Sequence, residues 1–215
     1  MEPKAGLISD ATAENPAEAR ASSRSRPETK RGKTSMSKKI LILSTSPRKG
    51  GNSDGLADAF AEGAREAGHQ VEKIVLYDKT IGFCRGCLAC QKTLRCVIRD
   101  DADAIAQTMR SAEVIVFATP IYFYEMCGQM KTLLDRTNPL FPSDYAFRDI
   151  YLLASAADGA ESAMDGAVKG LQGWIDCFEK ARLKGVVRGV GVTGVGEIQN
   201  VPAALKAAYD LGRQA

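Results

Sequence analysis

Two stretches of this 215-residue chain bring together residue types that could do chemistry. The first is Ser44-Thr-Ser-Pro-Arg-Lys-Gly-Gly-Asn-Ser53. It joins the apolar run Ile40-Leu-Ile-Leu43 to a segment carrying Leu56, Ala59, Phe60, Gly63, Ala64 and Ala67 at helical spacing. A buried strand, a loop of hydroxyls and glycines, and a helix start together suit a phosphate. The first N–H groups of a helix have no partner inside it, and the helix dipole adds partial positive charge there. Ser46, Asn52 and Ser53 supply side-chain donors, Arg48 supplies a cation, and Gly50 and Gly51 open the backbone path. The same residues also fit an ordinary strand–helix turn capped by Asn52 or Ser53. The loop is neither a Gly-x4-Gly-Lys-Ser/Thr phosphate loop nor a dinucleotide fingerprint.

The second stretch is Cys84-x2-Cys87-x2-Cys90-x5-Cys96, which holds four of the six cysteines. The N-terminus lacks the apolar core of a signal peptide, so a cytoplasmic protein is expected. In that setting clustered cysteines point to metal, cluster or redox chemistry rather than to a disulfide framework. Structural zinc usually draws on two Cys pairs with a longer insert, whereas a compact run suits a cubane on four thiolates. Arg85, Lys92, Arg95 and Arg99 could offset the negative charge of such a cluster. A dimer element, a redox-sensitive thiol patch and a set of partly buried thiols are the alternatives. Cys127 and Cys177 fall in segments predicted to be helical and read as packing residues.

The elements that must position these residues follow from hydrophobic periodicity. Residues 1–35 have almost no large apolar side chains and read as a disordered extension, with Met36 a candidate natural start. From residue 36 to 215 the pattern alternates. Strands are predicted at Ile40–Leu43, Val71–Tyr77, Val114–Ala118, Ile150–Ala154 and Val186–Val192. Between them come the first helix, the cysteine loop from Ile81 to Asp100, and a helix over Asp101–Ser111. A third helix carries Met126, Met130, Leu133 and Leu134 on one face, a long fourth runs from Met164 to Phe178, and a last one covers Val201–Leu211. Continuously apolar strands separated by amphipathic helices indicate an α/β protein with a parallel sheet covered on both faces. Five such repeats suit a flavodoxin-like, doubly wound, five-stranded sheet of order 2-1-3-4-5, three layers deep.

In that order the switch point lies between strands 1 and 3, and ligands bind outside the strand ends there. The loops leaving strands 1, 3 and 4 are Ser44–Ser53, Thr119-Pro-Ile-Tyr-Phe-Tyr124 and Ser155-Ala-Ala-Asp-Gly159. The first suits a phosphate. The second places Tyr122, Phe123 and Tyr124 where a flat ring could pack, and the third, running from Ser155 through Asp158 to Gly159, is small enough for its backbone to approach a ligand edge. A mononucleotide with a large planar head, such as FMN, fits all three.

The chain resembles the flavodoxin-like NADPH-dependent FMN reductase family, in its branch related to iron–sulfur flavoproteins. The resemblance rests on Ser46-Pro-Arg-Lys-Gly-Gly-Asn-Ser53, on the four cysteines with Asp100-Asp101, and on Pro120-Ile-Tyr122 with Gly128-Gln-x-Lys131 and Asp135-Arg136. It implies FMN with its phosphate on Ser46, Arg48, Gly51, Asn52 and Ser53, and ring contacts from Pro120–Phe123 and Ser155–Gly159. It also implies NAD(P)H as reductant and a quinone, nitroaromatic or similar small-molecule acceptor. As the alternative it implies a 4Fe-4S cluster on Cys84, Cys87, Cys90 and Cys96, with a ferredoxin as partner. A homodimer or homotetramer is expected. The Lys131–Asp135 spacing is explained as a helical ion pair.

Other features exclude other classes. A net charge of +3 is too small to argue for nucleic acid or an anionic membrane, and no apolar run is long enough to span a bilayer. His69, the only histidine, reads as an exposed turn residue, so a histidine-based triad is excluded. Gly189-Val-Gly-Val-Thr-Gly194 matches Gly-x-Gly-x-x-Gly but lies at the last strand, with too little chain left for a βαβ unit, and reads as a decoy. Trp174 reads as core or interface, and Asp100, Asp101 and Asp103 as the cap and first-turn acids of the next helix.

Overall fold

A computed structural model describes residues 36–215, and the predicted N-terminal extension lies outside the described residues. The parallel strands are β1 (Lys39–Ser44), β2 (Gln70–Val75), β3 (Val114–Tyr122), β5 (Asp149–Ser155) and β6 (Arg182–Gly189), in the order β2-β1-β3-β5-β6. A two-residue strand, β4 (Glu125–Met126), folds back antiparallel on the end of β3, pairing Ile121 with Met126 and Tyr122 with Glu125. The helices are α1 (Asn52–Glu66), α2 (Cys90–Thr93), α3 (Asp101–Ser111), α4 (Gly128–Arg136), α5 (Asp165–Ile175) and α6 (Pro202–Gln214). The predicted strand order and the three-layer arrangement are observed.

The layers follow from the two-residue period of a strand. Leu41, Leu43, Ile115, Phe117, Ile150 and Leu152 face α3, α4 and α5, against Ile105, Met109, Met130, Leu133 and Leu171. Their neighbours Ile40, Ile42, Val114, Val116 and Leu153 face α1 and α6, against Leu56, Phe60, Ala204 and Ala208. Trp174 packs edge-on to Phe117 and stacks on Phe147, the core role expected for it. Register runs Ile40 to Val114 between β1 and β3, and Val114 to Asp149 between β3 and β5. The open ends of β1, β3 and β5 therefore lie side by side.

Several boundaries depart from the sequence reading. Met126 is in β4, not on the third helix, because β3 continues to Tyr122 and the chain reverses before α4 begins. β2 stops at Val75 and passes into a 3-10 turn over Leu76–Asp78. The long fourth helix is a 3-10 turn over Glu161–Met164 followed by α5, so Phe178 lies beyond its end. β6 is displaced toward the N-terminus, since Val190 and Val192 belong to the loop after it. His69 is buried rather than exposed, and its Nδ1 accepts the Lys38 N–H at 3.2 Å.

Candidate functional site

Thr45, the first residue past β1, donates its N–H and its hydroxyl to the Ala118 carbonyl at 2.8 and 2.9 Å, which roots the loop on β3. α1 then opens at Asn52 with Gly51 as N-cap, and no side chain caps its first turn. Asn52 and Ser53 are thus the first helical residues rather than caps. Ser44 and Ser53 are fully buried, and their hydroxyls have no hydrogen-bond partner. A buried hydroxyl left unpaired costs about 1–3 kcal/mol, so Ser53 at an uncapped 15-residue helix is an unmet demand for an acceptor. An anionic oxygen on that turn meets it, and Arg48, exposed at the loop rim, adds charge. The residues present fit a phosphate. Ser46 is turned inward: its hydroxyl donates to the Arg48 carbonyl at 2.9 Å and accepts the Arg48 N–H at 3.2 Å.

A second crevice forms from β3 and β5. Pro120, Ile121 and Tyr122 are strand residues, and Phe123 and Tyr124 make a two-residue turn with φ of 50° and 64°. Left-handed conformations at bulky residues cost about 1–3 kcal/mol each and mark sites held open for function. Phe123 is 100% exposed and Tyr124 65%, so neither belongs to the core. The Tyr124 hydroxyl lies 3.4 Å from the Asp158 carboxylate, bringing the β3 and β5 loops together. Between them is a cavity of about 230 Å³ lined by Ile121, Phe123, Tyr124, Ala156, Ala157 and Asp158. Ser155 is buried at the end of β5 opposite Pro120, and Gly159 is exposed beyond it.

Two further pieces of the crevice were not anticipated. Cys127, the N-cap of α4, is wholly buried, and its thiol lies 3.2 Å from both the hydroxyl and the carbonyl of Thr45 and 3.4 Å from the Thr119 hydroxyl. It packs in the core as expected, though from the N-cap position rather than from within a helix, and its thiol also ties the ends of β1 and β3. No local signal in the sequence links these residues, since Thr45 and Cys127 lie 82 positions apart. The glycine-rich stretch after β6 is the other piece. The Ala156 N–H donates to the Gly189 carbonyl and the Val192 N–H to the Ala156 carbonyl, both at 2.9 Å, and the Gly191 N–H reaches the Asp158 carbonyl at 3.0 Å. From the opposite side Arg48 Nη1 donates to the Thr193 carbonyl at 3.0 Å and Asn52 Nδ2 to the Gly194 carbonyl at 2.9 Å.

The cysteine loop lies on the α4 side. Cys84 and Cys87 are exposed, Cys90 is buried at the start of α2, and Cys96 is half-buried. Burial pushes the Cys90 thiol up, and its neighbours Cys96, Cys87 and Cys84 push it the same way. Four thiols are the donor set of a cubane. Among the described residues, however, no three His, Cys, Asp or Glu side chains are gathered closely enough to hold a metal ion. The thiols thus match a cluster in chemistry but not in arrangement.

The loop is held by charges buried beneath it. Arg136, with its side chain 0% exposed, grips Asp100 through both Nη atoms at 2.7 and 2.8 Å. It also donates to the carbonyls of Gly82 and Ile98 at 2.6 and 3.2 Å and to Cys96 Sγ at 3.3 Å. Asp100 also caps α3 through the Ala102 N–H, as expected. Asp103 is more than a first-turn acid: it accepts the Cys96 N–H at 2.9 Å and pairs with Arg95 at 2.7 Å. Burial alone would raise both carboxyls, but Arg136 with the Gly82 and Ala102 N–H groups holds Asp100 below the usual range, and Arg95 with the Cys96 N–H does so for Asp103. Lys131 and Asp135 form the expected ion pair at 2.6 Å. Cys177, expected to pack, is exposed just past α5, because the helix ends at Ile175. A largely apolar cavity of about 310 Å³ separates the cysteine loop from the start of α4, between Leu76, Lys79, Ile81 and Phe83 on one side and Gly128, Gln129 and Thr132 on the other.

Among the described residues no helix is long and apolar enough to cross a membrane. A relative from Methanosarcina thermophila, named iron-sulfur flavoprotein, is 30% identical over 138 residues, 64% of this chain and 72% of its own length. One of the same name from Archaeoglobus fulgidus is 36% identical over 101 residues, 47% of this chain; the match spans about half of that relative, 46% of its length. The solved structure of an NAD(P)H:quinone oxidoreductase from Methanothermobacter marburgensis shares the fold, with a TM-score of 0.60, 18% identity, and coverage of 82% of this chain and 96% of that one. The model of the NADPH-dependent FMN reductase family matches residues 38–187. That span contains the β1 loop, the cysteine loop, the β3 turn and the β5 loop, and the chain belongs to the NADPH-dependent FMN reductase family.

Proposed function

We propose that this chain is an FMN-dependent NAD(P)H oxidoreductase that passes electrons from a nicotinamide nucleotide through FMN to a quinone, nitroaromatic or similar acceptor. The observation that carries the reading is the unpartnered, buried Ser53 hydroxyl at the uncapped start of α1; the cavity between the β3 and β5 loops supports it as a place for the ring. Ser53, Arg48 and the first-turn N–H groups hold the phosphate. Ile121, Phe123 and Tyr124 hold one side of the ring and Ala156–Asp158 its edge. When bound, FMN supplies the hydride chemistry, and the protein supplies binding and orientation. No side chain is required as nucleophile, which agrees with a single histidine that is buried away from the crevice on the Lys38 backbone. The largely apolar cavity beside Gly128 and Gln129, adjacent in sequence to the crevice residue Cys127, offers a place for an acceptor ring. Reduction of a quinone takes two electrons and two protons; NAD(P)H supplies both electrons and one proton, and water supplies the other.

A second reading follows from the relatives' shared name and the four-cysteine spacing: an electron carrier with a 4Fe-4S cluster on Cys84, Cys87, Cys90 and Cys96 that works with a ferredoxin. Steady-state oxidation of NADPH and NADH with menadione, under exclusion of oxygen, separates the two. The oxidoreductase reading expects turnover that requires FMN and needs no protein partner. Turnover that stays at background until a ferredoxin is added overturns it in favour of the carrier.

A further inference from the structure

The Gly189–Gly194 stretch and the residues after it do more than close the sheet. The Thr193 N–H donates to Glu197 Oε2 at 2.7 Å, and the Glu197 N–H returns to the Gly194 carbonyl at 3.4 Å. The Glu197 carboxylate therefore folds back over its own loop and fixes the direction of the Thr193 and Gly194 carbonyls. Those two carbonyls are what Arg48 Nη1 and Asn52 Nδ2 bond, at 3.0 and 2.9 Å. Asn52 is held at its other end too, where Oδ1 accepts the Ile198 N–H at 3.1 Å. Asn52 thus has both ends of its amide committed to this loop and acts as a clamp on it. Arg48 has one Nη committed and keeps the rest of its fork at the exposed rim.

We propose that Glu197 is a positioning residue for phosphate recognition: by shaping the Thr193–Gly194 turn it aims Arg48 at the phosphate end of the ligand. The proposal rests on the phosphate reading of the Ser44–Ser53 loop given above. The carboxylate is held below its usual range by the N–H groups of Thr193 and Gly194, with Arg48 adding to the effect, so it is ionised at neutral pH. An arginine left to swing at the surface pays the full entropy of ordering when it meets an anion, whereas one tethered to the ordered Thr193 carbonyl has paid part of it beforehand. Glu197 touches no ligand itself and acts through Arg48.

Binding of FMN and of riboflavin, which lacks the phosphate, distinguishes this role from a merely structural one. Titrations that follow flavin fluorescence are made on the full apoprotein. Glu197→Gln is expected to weaken FMN about tenfold and to change riboflavin by less than about twofold. Glu197 is exposed, so the variant keeps the fold. Gly194→Ala is an independent second variant: a Cβ there would lie 2.6 Å from Glu197 Oε1 and must displace the carboxylate, so it is expected to give the same selective loss. Arg48→Ala should also weaken FMN selectively, and adding Glu197→Gln to it should cost nothing more. Equal losses for FMN and riboflavin, an additive double variant, or an unchanged FMN affinity each overturn the proposal. Wild-type protein that binds riboflavin as well as FMN overturns the phosphate reading and the proposal with it.

Discussion

Arg136→Met is expected to lower the melting temperature by about 10 °C at neutral pH. Removing one partner of a buried ion pair costs about 3–5 kcal/mol, because the other charge is left uncompensated, and each kcal/mol is worth about 2–4 °C in a domain of this size. The partner here is Asp100, whose side chain is only 9% exposed. The same guanidinium spans the cysteine loop from Gly82 to Ile98, so the variant frees both ends of that loop from α4. The effect depends on pH with a definite sign. Asp100 is held below its ordinary value of 3.8, so the pair's contribution is complete above about pH 4 and is lost as pH falls through the lowered value. In the variant burial is opposed only by the Gly82 and Ala102 N–H groups, so the Asp100 carboxyl rises relative to wild type and sheds the stranded charge at a higher pH. The gap between wild type and variant should therefore narrow as pH falls from neutral toward 3. Thermal melts across that range check it, and a gap of a degree or two at neutral pH would refute the account of the loop.

Gly51→Val is expected to weaken FMN binding by about a hundredfold or more. A Cβ at this position would lie 2.4 Å from Ser46 Oγ and 3.2 Å from the Arg48 carbonyl, so a branched side chain must push Ser46 off the Arg48 backbone. The loop then loses the hydrogen bonds at 2.9 and 3.2 Å that hold Arg48 in place, and the start of α1 closes against the ligand. The Gly51 backbone itself, at φ −64°, tolerates any side chain, so the loss comes from crowding alone. Equilibrium dialysis with FMN, alongside a circular dichroism melt to show that the fold survives, measures it. Wild-type affinity in this variant would mean that the phosphate sits elsewhere.

The sheet order was legible because each parallel strand buried on both faces is a continuous apolar run, as in Val114-Ile-Val-Phe-Ala118. β6 was misplaced because it is an edge strand whose start, Arg182-Leu-Lys-Gly185, alternates with solvent, while the valines beyond it look more strand-like than they are. β4 left no signal: it has two residues, and its turn is Phe-Tyr where such turns normally carry Gly or Asn. The β1 loop could be read as a phosphate site because strand, loop and helix are contiguous in sequence. The contacts that complete the crevice are not. Cys127 meets Thr45 across 82 positions, Asn52 meets Gly194 across 142, and Arg136 meets Asp100 across 36. Gly189–Gly194 has the glycine spacing of a dinucleotide motif, and its place at the last strand marked it as a decoy; only the fold turns it toward Arg48.

The absorption spectrum of the protein purified without oxygen, recorded before and after NADPH is added, bears most directly on the central reading. Flavin bands that bleach on adding NADPH and return with a quinone are the expected result. A broad iron–sulfur background that persists beneath the flavin bands would move the assignment to the electron carrier. A colourless protein that takes up no added FMN would contradict the account.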